Sequence, residues 1–483
     1  MPKGGKDKEF VREIADPAVD FSQWYVDVVQ KADLIDYAPV RGCIVFKPYG
    51  YSLWERTQAA LDQRFKATGH QNAYFPLLIP ESFLLREQEH VEGFTPEVLW
   101  VTMGGDEVLQ ERLAIRPTSE AIIGPMYARW VESYRDLPIL INQWCSVLRW
   151  EKATRPFLRT AEFLWQEGHT VHATAEEAEE ETRRMLDVYR DFYENEMAIA
   201  VVPGLKTESE KFPGALRTYS VEALMGDGRA LQAATSHNLG QHFAQAYEIR
   251  YLDREGKLVH GWTTSWGLSW RSIGALIMVH GDARGLVLPP KMAPIQVVIV
   301  PIGQGTEGEA VRTRARQLKE LLGEVARVHL DDRDEVTPGW KFNDWELRGV
   351  PLRLEIGPRD LREHQVVLAR RDTGAKQQAA QEGLDVQVRA LLGEIQDALL
   401  RRSRQRLQEG VTEVHSLAEI AALAQERRGF AGGGWCGEAS CEIKVREETG
   451  ATIRNIPFQQ REIDRCAACG AEAHHYVLWA RAY

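Results

Sequence analysis

A chain of 483 residues with 44% hydrophobic and 27% charged residues is too long for one compact core and ordinary in composition, which predicts two to four globular domains. A formal net charge of -11 excludes indiscriminate nucleic-acid binding, which needs Lys and Arg to neutralise phosphates, and no DNA partner is expected; a local surface that reads a few unpaired RNA bases remains open. No run of about 20 apolar residues could span a bilayer, and the start lacks the apolar segment of a secretory signal, so a cytoplasmic protein without membrane contact is expected.

Residues 1–20 are polar with little period and read as a mobile arm, the ordered chain beginning near Phe21. From Ser52 to Lys66, Trp54, Leu61 and Phe65 recur at helical spacing, and Ala73 to Ile79 then reads as a β segment interrupted by Pro76. The segment from Ile139 to Trp150 alternates like a strand and carries Arg149 with Glu151 two residues on. A short, basic, turn-forming loop with Arg155-Pro156 follows, and Phe163 beyond it offers a flat surface for a purine. Thr174 and Glu177 form a capping box that opens a helix through about Ala198, its first turns crowded with Glu. Gly267-Leu-Ser-Trp-Arg271 ends in an arginine on a helix whose small residues allow close packing.

Pro289 to Pro294 reads as a linker, after which Gln296 to Pro301 is an apolar run of the buried parallel type. Helix (about 308–323), strand (325–330), helix (about 340–349) and strands (351–356, 365–369) follow in β-α-β-α-β order, and a long charged helix from about 386 to 408 leads into the tail. The expected domains are 21–290, 291–400 and 401–483. Four of the six cysteines lie in that tail as Cys436-x4-Cys441 and Cys466-x2-Cys469, which fits a tetrahedral structural Zn²⁺ site with no open position; unpaired reduced thiols are the alternative.

No Gly-x-x-x-x-Gly-Lys-Ser/Thr loop appears, and no Gly-x-Gly-x-x-Gly follows a strand. Alone, an Arg-x-Glu is commonly a surface ion pair and a Gly-x-x-x-Arg carries nothing; the two in this order, around a basic loop, suit a protein that holds a bent nucleotide. A carboxylate that attacks the α-phosphate of ATP needs no protein nucleophile. It needs two anions held together and charge drained onto the leaving pyrophosphate by Arg and Mg²⁺. Arg149 is assigned to the α-phosphate and Arg271 to the γ-phosphate.

The residues Gly69-His-Gln-Asn-Ala-Tyr-Phe-Pro76, Arg116-Pro-Thr-Ser-Glu120, Arg149-Trp-Glu151, Arg155-Pro-Phe-Leu-Arg-Thr160, Glu162-Phe-Leu-Trp-Gln-Glu-Gly-His-Thr170, Leu231-Gln-Ala-Ala-Thr-Ser-His-Asn-Leu-Gly240 and Thr264-Ser-Trp-Gly-Leu-Ser-Trp-Arg271 are long and specific. On them, the chain from about Phe21 to Tyr483 resembles the prolyl-tRNA synthetases of the archaeal and eukaryotic-like type. The resemblance implies an α+β protein: a class II antiparallel-sheet catalytic domain, an α/β anticodon-binding domain and a small zinc-binding C-terminal α+β domain. It implies a homodimer with Pro76 at the interface, and ATP, L-proline and tRNA(Pro) as substrates.

By the same resemblance, Thr118 and Glu120 bind proline, the Glu120 carboxylate receiving the secondary ammonium, while Trp165, Glu167, His169 and His237 wall the ring pocket. Arg149 touches both proline and ATP, and Glu151, Arg159, Thr160, Phe163, Gln232, Thr235 and Arg271 hold ATP. Phe342, Glu346 and Arg353 are the candidates for reading the anticodon. Between Phe163 and Gly267 there is room only for helices and connecting strands, so the editing domain inserted in bacterial-type relatives is expected to be missing. Misactivation of cysteine and alanine follows, because a methylene discriminates by only about 1 to 3 kcal/mol. Two rivals remain: a class II synthetase for threonine or glycine, and an RNA-binding paralogue that has lost activation. Glu120 beside Trp165 and His169 favours proline; intact Arg149, Glu151 and Arg271 speak against a dead site, which has no reason to keep buried charge.

Overall fold

The computed structural model describes residues 13–90, 98–426 and 428–483, and the side chains of all of these except 86–90. The first twelve residues of the expected arm lie outside the described residues. Its remainder is folded rather than free: Ile14 and Ala15 pack on the main core, and the Ala15 N–H donates to Asp27 at 2.9 Å.

Among the described residues the chain builds one sheet of eleven strands. Its central five are antiparallel, in the order Arg217–Leu224, Ala230–Gly240, Trp262–Ser269, Glu162–His172 and Ile139–Leu148. Their register brings residues distant in sequence into rows across the sheet. One row runs Ile141, His169, Ser265, His237, Thr218, and the next runs Gln143, Glu167, Gly267, Thr235, Ser220. Because side chains alternate along each strand, every member of these rows projects to the same face. The opposite face is covered by the helix Ala175–Asn195, which buries Met185, Leu186, Tyr189, Phe192 and Tyr193. Gly168 lets the sheet accept Trp266 there: a Cβ at 168 would lie 2.1 Å from the indole.

That helix is capped as the sequence suggests, with one shift. The Thr174 hydroxyl accepts from the Glu177 N–H at 3.1 Å, but the Glu177 carboxylate accepts from Ala173 rather than from Thr174. The helix expected at 52–66 spans Pro48–Ala67, started by its proline, and buries Leu53, Trp54, Leu61 and Phe65. The β segment expected at 73–79 is corrected to two short pieces, Gln71–Asn72 and Leu78–Pro80. Pro76 between them has no N–H to give to a ladder.

The second domain is a five-stranded sheet in the order Val328–Leu330, Val297–Pro301, Leu352–Ile356, Gln365–Arg370, Lys376–Ala380. Its first three strands are parallel, as the apolar run 296–301 implies, and the last two are antiparallel. The helix expected at 340–349 begins earlier, as Pro338–Leu347, because Thr337 caps it and Pro338 takes its first position.

The boundary expected at 400 falls inside a continuous helix, Leu384–Glu409. Residues 401–483 have a core of their own, with Trp435, Val445 and Trp479, and also extend the catalytic sheet. Their strands Val411–Val414, Phe430–Trp435, His475–Ala480 and Thr452–Pro457 continue it, joined where Ile456 pairs with Leu205 and Pro457 with Gly204.

Candidate active site

The rows on the open face of the sheet line a cavity of about 360 Å³. Thr118, Glu120, Arg149, Phe163, Trp165, Glu167, His169, Gln232, Thr235, His237 and Arg271 all border it, so the structure brings most of the expected site residues together. The strand 139–148 stops one residue before Arg149, whose guanidinium is held by the Pro117 carbonyl at 3.0 Å and lies 5.5 Å from both the Phe163 and Trp165 ring centres. Arg271 opens the helix Arg271–His280, and its Nε–H donates to the Leu158 carbonyl at 3.2 Å. That helix sits close because position 274 is glycine, where a Cβ would meet Leu158 at 2.7 Å.

The cavity is anionic at one end and cationic at the other. Glu120 begins the helix Glu120–Trp130 and accepts from the Thr118 hydroxyl. Glu167 accepts from Ser119, from Gln143 Nε2 at 2.9 Å and from the His169 ring at 3.0 Å. Burial opposes the charged Glu167, yet the bonds from His169, Ser119 and Gln143 outweigh it and hold its carboxyl below the usual range. Burial likewise pulls His169 down, but the bond to Glu167 and the charge of Glu120 win and raise it. His237 has no such partner, and burial takes it down to about 3, so it is neutral; its Nδ1 lies 2.9 Å from the Thr218 hydroxyl and its ring packs on Phe212. At the cationic end, burial lowers Arg149, with Glu120, Glu167 and Glu151 offsetting part, and burial together with the like charge of Arg149 lowers Arg271. Two guanidiniums facing one another across solvent call for a polyanion between them.

Three expected ATP residues do not border the cavity. Arg159 is 63% exposed and pairs with Glu151 at 2.7 Å, in the loop beside it, and Thr160 is buried with its hydroxyl unpartnered. The same loop is pinned from two sides: Tyr25 donates to the Pro156 carbonyl at 2.8 Å, and the Arg155 guanidinium lies 4.9 Å from the Tyr25 ring and 5.3 Å from that of the terminal Tyr483.

Several lining or supporting residues escaped the sequence reading. Gln143 was within reach, since it shares strand parity with Arg149; Ser119 sits inside a quoted motif between two assigned residues. Ser265 likewise sits inside the quoted motif 264–271, whereas Lys211 and Phe212 carried no signal, because only the fold brings the loop 206–216 over the sheet.

Elsewhere, Phe342, Glu346 and Arg353 meet one another. The Arg353 guanidinium lies 4.1 Å above the Phe342 ring and 3.3 Å from the Glu346 carboxylate. In the tail, the Sγ atoms of Cys436, Cys441, Cys466 and Cys469 all lie within 4.8 Å of one another, with 3.6 Å from Cys436 to Cys441 and 3.9 Å from Cys436 to Cys469. These gaps exceed a disulfide bond of about 2.05 Å and suit four thiolates around one metal ion.

Residues 100–280 match the model of the class II core domain of tRNA synthetases (G, H, P, S and T), residues 296–391 the anticodon binding domain, and residues 417–483 the prolyl-tRNA synthetase C-terminal domain. The chain is 55% identical over 478 residues to a proline–tRNA ligase of Natranaerobius thermophilus, covering 99% of each. It is 58% identical over 489 residues to one of Symbiobacterium thermophilum, covering 99% of this chain and 100% of that one. Among solved structures it is similar to prolyl-tRNA synthetase from Cryptosporidium parvum complexed with halofuginone and AMPPNP, with a TM-score of 0.93, 41% identity, and coverage of 97% of this chain and 99% of that one. With three domain models in the expected order and relatives matched end to end, the chain belongs to the prolyl-tRNA synthetase family, and is an aminoacyl-tRNA ligase of class II.

Proposed function

We propose that the chain activates L-proline with ATP to prolyl-adenylate and pyrophosphate and then transfers the prolyl group to the 3′ end of tRNA(Pro). The observation that carries this is a single cavity with Glu120 and Glu167 at one end and Arg149 and Arg271 at the other. A proline placed along that axis presents its ammonium to Glu120 and its carboxylate to Arg149, with Trp165 and His237 as walls for the ring. A carboxylate oxygen attacks the α-phosphorus, the bond to the β-phosphate bridging oxygen breaks, and pyrophosphate leaves with the charge that Arg271 stabilises. A ribose hydroxyl of the tRNA then attacks the activated carbonyl carbon, its proton is lost, and AMP departs. Mg²⁺ enters with ATP as its counter-ion. Phe163 supplies a face for the adenine, and Glu151, Arg159 and Thr160 belong to the loop beside it. Residues 164–266 are taken up by the sheet, its covering helix and the loops between, which supports a chain without a separate editing domain. Pyrophosphate exchange on purified protein across an amino-acid panel tests the reading: exchange with proline, and weaker exchange with cysteine and alanine, is expected. Exchange led by threonine or glycine, or none at all, refutes it.

Phe342, Glu346 and Arg353 are assigned to the anticodon. An aromatic ring beneath a guanidinium, with a carboxylate at its edge, can stack one base and bond another. Phe342→Ala should raise KM for tRNA(Pro) in aminoacylation about tenfold, since stacking contributes about 1 to 3 kcal/mol per base, and leave proline-dependent exchange unchanged.

The four tail cysteines are assigned to structural Zn²⁺. Zn–S bonds of about 2.3 Å in a tetrahedron put the sulfurs roughly 3.8 Å apart, which the gaps of 3.6 and 3.9 Å straddle. Cys466→Ser should abolish stoichiometric zinc in elemental analysis and lower the melting temperature, because its neighbours form the core beneath Trp435 and Trp479.

A homodimer is the remaining assignment. Tyr74, Leu77, Leu78, Leu85 and Trp130, around Pro76, are exposed on one protomer, Tyr74 by 70%. Sedimentation should give twice the chain mass, and Tyr74→Glu with Leu78→Glu should shift it to the monomer.

A further inference from the structure

Beside the ATP end of the cavity, Lys206, Glu222 and Arg454 form a buried ionic triad, with exposures of 4%, 0% and 7%. Arg454 reaches Glu222 through Nε and Nη2, both at 3.2 Å, and Lys206 reaches it at 3.3 Å. The Ser220 hydroxyl adds a bond at 3.0 Å, and the Lys206 ammonium also donates to the Arg454 carbonyl at 2.6 Å. Arg454 comes from the C-terminal module, Glu222 from the strand Arg217–Leu224, and Lys206 directly follows the strand Val201–Leu205.

Two features set this cluster apart from a structural ion pair. First, its cations crowd one fully buried carboxylate: Lys206 and Arg454 share Glu222, and the second acid acting on Lys206, Glu210, borders the cavity itself. A buried charge group is costly, and apolar residues of the same volume would hold the two parts together at least as well. Second, it sits in the site's own framework. Thr218, Ser220 and Glu222 alternate on the strand 217–224, and Thr218 borders the cavity. The strand slips by one residue between Val221 and Glu222, and this places Glu222 directly opposite Gln232, which also borders the cavity. Arg271 feels both Glu222 and Arg454.

We propose that Arg454 is a positioning residue for ATP: held by Glu222 against Lys206, it keeps the Gln232 strand in register and adds buried positive potential behind Arg271, where the leaving pyrophosphate gathers charge. The C-terminal module thereby completes the catalytic site. Among the described residues Arg271 has no ion-pair partner at its guanidinium and feels the like charge of Arg149 and Arg454, and a polyphosphate relieves that repulsion. Proline, held between Glu120 and Arg149, lies away from Arg271 and Arg454 and depends on Arg454 far less.

This inference rests on the assignment of the cationic end to ATP, and wild-type exchange with proline tests that assignment separately. Arg454→Met keeps the volume, removes the charge and leaves Glu222 paired with Lys206. In pyrophosphate exchange it should raise KM for ATP about tenfold and lower kcat, with KM for proline within about twofold of wild type, while Arg454→Lys recovers most of the ATP affinity. Were Arg454→Met not to fold, Thr452→Val, which removes the bond from Arg454 Nη1 at 3.1 Å, carries the test with an expected two- to threefold rise in KM for ATP. The inference is overturned if a folded Arg454→Met leaves KM for ATP and kcat unchanged, if it shifts the proline KM as much as the ATP KM, if Arg454→Lys fails to rescue, or if Thr452→Val in the fallback changes nothing.

Discussion

Arg149→Ala should lower proline-dependent pyrophosphate exchange by about 10³-fold, the upper range for losing one preorganised donor to a developing charge. Arg149 is the cationic-end residue that also feels the anionic end: Glu120 and Glu167 act on it, and it acts on Arg271. Its orientation is fixed before substrate arrives, by the Pro117 carbonyl and by the Phe163 and Trp165 rings. Arg149→Lys should recover little, because an ammonium offers no planar fork to bridge a carboxylate and a phosphate. Arg159→Ala should cost far less, within about tenfold, since that side chain is exposed and already paired with Glu151. Loss of less than tenfold in Arg149→Ala would remove the central guanidinium from the mechanism.

Acid should destabilise the fold well before its carboxylates titrate. His172, His237 and His280 are each held neutral chiefly by burial, at about 4, about 3 and about 4. In the unfolded chain all three return to about 6.5. A histidine with a lowered folded pKa contributes stability that is present above 6.5 and lost as pH falls towards the folded value, because the unfolded chain takes up the proton first. Linkage gives about 2 kcal/mol for each between pH 7 and pH 5, about 6 kcal/mol together. His169 works in the opposite sense: its raised pKa contributes stability that is full below 6.5 and lost as pH rises through the folded value, so it offsets part of the acid loss. Glu167, with a lowered pKa, adds to the loss only further down, as pH falls from about 4.5 through its folded value. Thermal unfolding followed from pH 7.5 to 4.5 should show a falling melting temperature with most of the loss above pH 5. A flat profile over that range would mean that these histidines are protonated in the folded protein.

The sequence by itself determined the family and named most of the residues that border the cavity. Motifs are dense in the catalytic half because phosphate and carboxylate chemistry restricts residue type, so Arg149 and Arg271 were legible as chemistry, while Glu120, Glu167 and His169 were named through the family resemblance. The paired cysteines were legible for the same reason, since a metal ion prescribes its ligands. Segments with strong periodicity, such as the helices Pro48–Ala67 and Ala175–Asn195, were also legible to within a few residues. What only the tertiary structure decided were relations across the chain. Strand register, a non-local property, aligned His169, Ser265, His237 and Thr218 in one row. Hydrogen-bonded edge pairing, which any backbone can make, joined the C-terminal domain to the catalytic sheet. The Lys206, Glu222 and Arg454 cluster belongs to the same kind: each residue alone reads as an ordinary surface charge, and burial beside a common carboxylate is set by contacts between positions 16 to 248 apart.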